Sequence, residues 1–267
     1  MACSRAARGR RRVGVRRAGH SRGLVRGPAA GAARVSGSES VKYVIVNADD
    51  FGASGGTNRG IVDAHINGIV TSTSLLVHRP WSADAATLAT RVPDLSVGLH
   101  LDLDRIPEAD LAAELERQYI RFEQLMGYPP THSDVHHHAH RDARFLPHVL
   151  RFAQTRDLPL RGHSTVRACS KFYGQWGGAT HLEQIGLDGF ERILATEVRD
   201  AVTELSCHPG YVDAELRSSY SVEREVELRT LCDPAARSIL SALGLSLISF
   251  RDLNGHGTCV AAEERLS

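Results

Sequence analysis

From residue 42 onward, short apolar runs rich in β-branched residues alternate with stretches of helical periodicity. The first run, residues 43–46, is continuously apolar, which is typical of a strand buried on both faces. Similar runs at 69–76 and 95–101 follow helix-like segments that end near Gly or Pro residues. Because parallel strands need helical crossovers between them, this alternation predicts an α/β fold with a parallel sheet.

The number of repeating units sets the expected shape of that sheet. Units of about 30 residues, each a strand and a helix, leave room for about six or seven strands. This number favours an irregular β/α, TIM-like barrel over an open sheet. No second domain boundary is visible in the sequence, so residues 41–267 are expected to form a single domain of this kind.

Residues 1–40 differ in composition from the rest of the chain. They contain ten arginines and one acidic residue, Glu39, whereas the formal net charge of the whole chain is only +1. A segment of Arg, Gly, Ala and Ser cannot bury enough apolar surface to fold by itself. We therefore expect residues 1–40 to be a disordered basic extension, or not to be translated, and to take no part in the chemistry. A nucleic-acid-binding arm is the alternative that this charge leaves open.

Other features of the sequence exclude several classes of protein. No run of 18 or more apolar residues occurs, so no membrane-spanning helix is expected. The five cysteines contain no CxxC pair, which argues against a disulfide framework and against a cysteine-rich zinc site. Cys207 stands beside His208, but neighbouring residues of a strand point to opposite faces, which directs Cys207 inward. The sequence predicts a cytoplasmic protein with no membrane or nucleic-acid partner, and a homodimer is left open.

Two adjacent carboxylates, Asp49 and Asp50, end the first predicted strand and are followed by Gly52. In a regular strand their side chains would point to opposite faces. Where Gly52 lets the chain turn, both can reach one cavity. Two carboxylates in a cavity of low dielectric repel each other unless a cation lies between them. A capped surface turn is the structural alternative.

Histidines occupy corresponding positions after later strands. His100 ends the run at 95–101, the triple His136, His137 and His138 follows Asp134, and His208 precedes Pro209 and Gly210. The carboxyl ends of parallel strands meet at one edge, where the active sites of β/α proteins lie. The sequence therefore predicts that these segments form one site.

One Asp and two His residues around an open coordination position are a suitable ligand set for a catalytic divalent metal. Such a set suits Zn²⁺ or another transition metal, while Mg²⁺ needs more oxygen ligands. The pair Asp134 and His136 would supply one ligand and one carboxylate that orients it. Three structural alternatives stay open: His100 as a hydrogen-bonded core residue, a His-rich loop without metal, and His208 as an incidental turn residue.

Five motifs occur in order along the chain: Asn-Ala-Asp-Asp-Phe-Gly at 47–52, Gly-Ile-Val-Thr-Ser-Thr-Ser at 68–74, Gly-Leu-His at 98–100, Pro-Thr-His-Ser-Asp-Val-His-His-His at 130–138 and His-Pro-Gly at 208–210. Together they resemble the YdjC/ChbG-like carbohydrate (chitooligosaccharide) deacetylases. The resemblance runs from about residue 42 to the C-terminus. It implies a β/α barrel and the metal-dependent removal of the acetyl group from N-acetylglucosamine-containing oligosaccharides such as chitobiose.

The resemblance also implies roles for individual residues. Asp49 corresponds to the proton acceptor, and Asp50, His100 and His136 correspond to the metal ligands. The metal of the family is usually described as magnesium, with zinc as the other candidate. That His208 is the general acid is a hypothesis, which rests on the resemblance and on a histidine of near-neutral pKa protonating the leaving nitrogen.

Two segments depart from the pattern of the family. Residues 101–107 are short and acidic where the family has Leu-Thr and a long insertion, which puts a chitobiose-type substrate in doubt. Val135 replaces the usual Ser before the histidine triple, and it should face away from the metal. In the long loop, Phe172, Tyr173 and Trp176 could stack on a sugar ring or form a local cluster. The alternatives are another metal-dependent amidase or phosphoesterase, and a non-catalytic sugar-binding or regulatory homologue.

Overall fold

The structure is a computed structural model that describes residues 41–137, 142–199 and 202–253. The expectations for residues 1–40 and for His138 lie outside the described residues. Seven parallel strands in the described ranges form the main sheet, and a two-stranded hairpin stands apart from it. The strands are β1 (Lys42–Phe51), β2 (Ser72–Leu75), β3 (Ser96–Leu101), β4 (Ser133–Val135), β5 (Arg167–Cys169), the hairpin strands β6 (Gln175–Trp176) and β7 (Ala179–Thr180), β8 (Val202–Cys207) and β9 (Leu245–Leu247).

Helices connect these strands, as the alternating sequence pattern predicted. They are α1 (Gly55–Ile66), α2 (Ser82–Ala89), α3 (Leu111–Met126), α4 (Leu146–Thr155), α5 (Leu187–Glu197), α6 (Val222–Cys232) and α7 (Pro234–Ala242). The α/β class with a parallel sheet is thereby confirmed. No helix among the described residues is both long and apolar enough to span a bilayer.

The sheet does not close into the TIM-like barrel that the sequence predicted. Its hydrogen-bonded order in the described part of the chain is β4-β3-β2-β1-β8-β5, with β9 beside the start of β1. Beyond β4, Leu160 forms one isolated bridge to Ser133, and Gly162, at a φ of +77°, turns the chain away. The chain then joins the opposite edge as β5. The result is a parallel half-barrel with β4 and β5 at its edges.

Three predicted elements had different bounds. The helix expected at 187–203 ends at Glu197, so β8 begins earlier than expected. The helix expected at 220–243 is two helices, because Pro234 lacks the backbone N–H that would continue α6. The region 161–186, expected to be loop, contains β5 and the hairpin.

The loop after β8 packs directly on α1. The helix begins after Ser54, whose hydroxyl accepts a hydrogen bond from the Thr57 backbone N–H. A Cβ atom added to Gly60 would lie 2.5 Å from the Cα atom of Gly210, so no larger residue is accommodated there. This close contact holds the loop that contains His208 beside the carboxyl end of β1.

Candidate active site and metal centre

A β-bulge at the end of β1 directs both adjacent carboxylates into one cavity. Ala48 pairs with Thr73 of β2 and Phe51 pairs with Leu75, so β1 contains one extra residue between these pairs. Asp50 adopts a φ of +71°, in the left-handed region. Asp49 and Asp50 therefore both line a cavity of about 1210 Å³. The bulge, rather than a turn at Gly52 alone, brings the two carboxylates together.

Three side chains from different strand ends converge in this cavity. A carboxylate oxygen of Asp50 and one ring nitrogen each of His100 and His136 lie within 4.8 Å of one another. The Nε2 atoms of His100 and His136 are 3.3 and 3.6 Å from Asp50 Oδ1. Asp50 Oδ1 is buried and has no hydrogen-bond partner among the described residues. Two imidazole nitrogens facing an unbonded carboxylate oxygen are a donor set that suits a divalent cation.

Asp134 orients His100 from the neighbouring strand. The two residues are paired across β3 and β4, and His100 Nδ1 lies 2.5 Å from Asp134 Oδ1. Such a contact is the usual support of a metal-ligating histidine. Burial disfavours the charged ring, but Asp134 and Asp50 raise the pKa of His100 to about 10, so this position attracts positive charge. The sequence predicted that Asp134 orients His136, whereas the register of β3 with β4 pairs Asp134 with His100.

Arg161 contacts three buried carboxylates. Its Nη1 and Nη2 atoms each lie 2.6 Å from one oxygen of Asp49, and Nη2 also lies 2.6 Å from Asp134. Its Nε atom donates to Glu204 at 2.7 Å. Burial disfavours a charged guanidinium, but these carboxylates raise the pKa of Arg161 well above its usual value. Arg161 therefore stays charged and holds Asp49 in a bidentate contact.

The buried ionic groups around the cavity leave an excess of negative charge. In the described part of the chain, four carboxylates face two guanidinium groups: Asp49, Asp50, Asp134 and Glu204 against Arg161 and Arg224. The four carboxylates outnumber the two guanidinium groups, so a further positive charge is favoured here: a proton on His100, whose pKa they raise, or a divalent cation in its place. Uncompensated buried charge is costly, and burial raises the pKa of Glu204 to about 7. Donor set and charge balance both fit a divalent cation at Asp50, His100 and His136.

His208 also faces Asp49, with its Nε2 atom 3.8 Å from Asp49 Oδ2. Its ring makes edge-on contacts with Tyr173 and Tyr220. Burial lowers the pKa of His208 to about 4. The ring is therefore neutral at pH 7, and the near-neutral pKa assumed from the sequence is corrected by this burial.

The short acidic segment after β3 lies against His136. His136 Nδ1 is 3.8 Å from Asp102 Oδ1 and 3.9 Å from Asp104 Oδ2. Arg79 forms an ion pair with Asp102 at 2.5 Å. His137 is exposed, stacks on His136 and lies 3.3 Å from Asp104. The segment that departs from the family pattern thus places two carboxylates beside one of the predicted metal ligands.

The aromatic residues expected to contact a sugar ring are only partly in the cavity. Phe172 and Tyr173 line it, but Phe172 is fully buried. Trp176 is not among the lining residues, and its indole stacks on His181. Trp81, at the start of α2, also lines the cavity. Tyr220 also lines the cavity but is buried, so Tyr173 and Trp81 are the partly exposed aromatic side chains of the lining.

Sequence reasoning missed three charged residues of this site: Arg161, Glu204 and Arg224. Arg224 donates to Asp50 at 2.5 Å from helix α6, which looks like an ordinary charged surface helix in the sequence. Arg161 directly follows the apolar run at 158–160, and Glu204 interrupts the run that ends at Cys207. A charge inside or directly after an apolar run was the signal that could have identified both of these, because such a charge needs a partner when it is buried.

The sequence is similar to proteins of known family. A family model described as YdjC-like protein matches residues 43–109 and 103–242. A chitooligosaccharide deacetylase of Serratia marcescens is 33% identical, with 79% of this chain and 99% of that protein covered. A chitooligosaccharide deacetylase of Salmonella paratyphi C is 35% identical, with the same two coverages.

A solved structure has the same fold. It is the crystal structure of an Enterococcus faecalis protein whose suggested role is cellobiose-phosphate cleavage. The two proteins are 25% identical and superpose with a TM-score of 0.70, over 80% of this chain and 99% of that one. The half-barrel topology is therefore also that of an experimentally determined protein.

Proposed function

The chain belongs to the YdjC-like family, and we propose that it is a metal-dependent hydrolase that removes the acetyl group from N-acetylated amino sugars. The main observation is that Asp50, His100 and His136 meet beside Asp49 in one cavity. The chitooligosaccharide deacetylases that match the chain support an N-acetylglucosamine-containing oligosaccharide as substrate. A divalent cation held by the three ligands would lower the pKa of a water molecule and polarise the acetamide carbonyl group.

Asp49 is the proton acceptor in this proposal. Its Oδ1 atom accepts from Asn47 Nδ2 at 2.9 Å and from Arg161, whereas Oδ2 accepts from Arg161 and faces His208. A carboxylate oxygen can accept two hydrogen bonds, so Oδ2 retains a free position on the side of His208. Asp49 takes a proton from water there while the water oxygen bonds to the acetamide carbonyl carbon.

His208 is the proton donor to the leaving nitrogen. Because the ring is neutral at pH 7, it must first receive a proton, and Asp49 Oδ2 is 3.8 Å from its Nε2 atom. The proton that Asp49 took from water passes to His208 and then to the nitrogen as the C–N bond breaks. The products are a free amine and acetic acid, which ionises to acetate and releases the second proton of the water molecule, and Asp49 and His208 return to their initial protonation states.

Acetate release by metal-stripped protein tests the proposed function. We expect release from N-acetylglucosamine, chitobiose or chitotriose to stop after chelation and dialysis, and to return when one divalent metal is added. Two imidazole nitrogens favour Zn²⁺, Co²⁺ or Ni²⁺ over Mg²⁺ in this restoration. An unchanged rate after chelation would contradict metal dependence, and hydrolysis of phosphoesters without acetate release would indicate a different hydrolase.

The role of His208 predicts a dependence on the leaving group. His208→Gln should lower kcat for an acetylated sugar by about 10²-fold or more, with bound metal unchanged, because the amine leaves only when protonated. The rate with 4-nitrophenyl acetate should fall much less, since its phenolate leaves without a proton. His181→Gln, directly after the hairpin and outside the cavity lining, is the matched control. An equal loss with both substrates would refute this role.

A further inference from the structure

Glu204 is a buried carboxylate that the proposed mechanism leaves without a role. It lies in β8, is 1% exposed, and pairs with Ile45 of β1 and Ala168 of β5. A carboxylate between apolar strand residues is destabilising unless it is paired. Its partner is Arg161, so Glu204 can act on the position of that guanidinium group.

Two edges of the Arg161 guanidinium are held by different carboxylates. Nε and Nη2 both lie 2.7 Å from Glu204 Oε1. Nη1 and Nη2 lie 2.6 Å from the two oxygens of Asp49. Because the guanidinium is planar and rigid, fixing one edge also fixes the direction of the other. Glu204 thus determines where the pair of donors facing Asp49 points.

Asp49 needs such support from outside its own strand. It lies in the β-bulge next to Asp50, where the ladder of β1 with β2 is interrupted. Asp134, the third carboxylate on Arg161, also contacts His100 and so serves the predicted metal site. Glu204 contacts Arg161 from a regular strand, β8, which is paired with β1 over six residues.

We propose that Glu204 is a positioning residue that fixes Arg161 and, through it, the Asp49 carboxylate that accepts the proton. This inference rests on the proposed function, because it assigns Glu204 a part in the same reaction. A misplacement of about 1 Å at a reacting group costs about 10²-fold in rate. A loss of Glu204 therefore acts mainly on the chemical step, because Asp134 keeps its own contact with His100 in the predicted metal site.

Steady-state kinetics of two variants test this role. Glu204→Leu should lower kcat by about 10²-fold, with KM and bound metal little changed. Glu204→Gln retains an acceptor oxygen for Arg161 Nε and should recover most of that loss. Thr203→Val, a buried neighbour in β8 whose hydroxyl lacks a hydrogen-bond partner in the described residues, is the control and should behave as wild type. An unchanged kcat in Glu204→Leu would overturn the proposal.

A double-mutant cycle separates positioning from an independent effect. In an Arg161→Met background, Glu204→Leu should cost little further activity, because its target is already absent. Equal fold losses with and without Arg161 would show that Glu204 acts independently and would overturn the proposal.

A crystal structure of Glu204→Leu gives a readout that needs no activity. We expect Arg161 to move away from Asp49, and an unchanged pair of contacts at 2.6 Å would contradict the positioning role. If wild type releases no acetate, the proposed function fails, while this structure still decides whether Glu204 positions Arg161. Unchanged contacts together with acetate release by wild type would overturn the role of Glu204 alone.

Discussion

Asp49→Asn is expected to lower kcat for acetate release by about 10²–10⁴-fold while the protein still binds its metal. The amide has the shape of the carboxylate but cannot take a proton from water at neutral pH. Its oxygen can still accept from Asn47 Nδ2 and Arg161 Nη2, so one of the two contacts with Arg161 is retained. The measurement is kcat for an acetylated chitooligosaccharide together with the metal content of the purified variant.

The matched control is Asp104→Asn, which removes a carboxylate that also lines the cavity. Asp104 is half-exposed and contacts His136 and His137 rather than Arg161. Its replacement should change kcat far less, because it removes one negative charge from the cavity but leaves the proton acceptor in place. Normal turnover by Asp49→Asn, or equal losses in the two variants, would refute Asp49 as the proton acceptor.

The convergence of the predicted metal ligands followed from the sequence because it depends on a simple rule. Parallel strands end at one edge of their sheet, so residues at the ends of β1, β3 and β4 must be neighbours. Asp50, His100 and His136 lie within 4.8 Å of one another although they are far apart in the chain. Local pattern was sufficient for the α/β class and for the convergence of these three side chains.

Closure of the sheet depended on information that local pattern does not contain. Whether residues 158–166 pair with both edges is decided by how the chain turns after Leu160. The turn at Gly162 takes the chain out of the sheet, while the side chain of Arg161 reaches Asp49, 112 residues away in sequence. A barrel and a half-barrel have the same alternation of strands and helices, so the sequence could not distinguish them.

The electrostatic partners of Asp134 and His208 could not be predicted from the sequence for a related reason. Asp134 could orient either His100 or His136, and the register of β3 with β4 decides between them. The pKa of His208 depends on burial under side chains from distant segments. Such partners are fixed only when the strands are aligned, whereas residue types at strand ends are visible at once.

His100→Ala and His136→Ala are each expected to lose bound metal and acetate release together. Each change removes one of three ligands, and kcat should fall by at least about 10²-fold because the oxyanion loses its electrostatic stabilisation. His137→Ala is the matched control, since His137 adjoins His136 in sequence but is exposed and contacts Asp104. Metal content by elemental analysis and acetate release are measured on the same preparations.

The two variants should differ in their response to added imidazole. The side chain of His136 is 15% exposed, so free imidazole and metal can enter the space that His136→Ala leaves, and activity should partly return. The side chain of His100 is 3% exposed and is enclosed by Asp134 and Asp50, so His100→Ala should not be rescued. Wild-type metal content or acetate release in either variant would show that the cation lies elsewhere. Rescue of His100→Ala but not of His136→Ala would contradict the burial from which this difference is predicted.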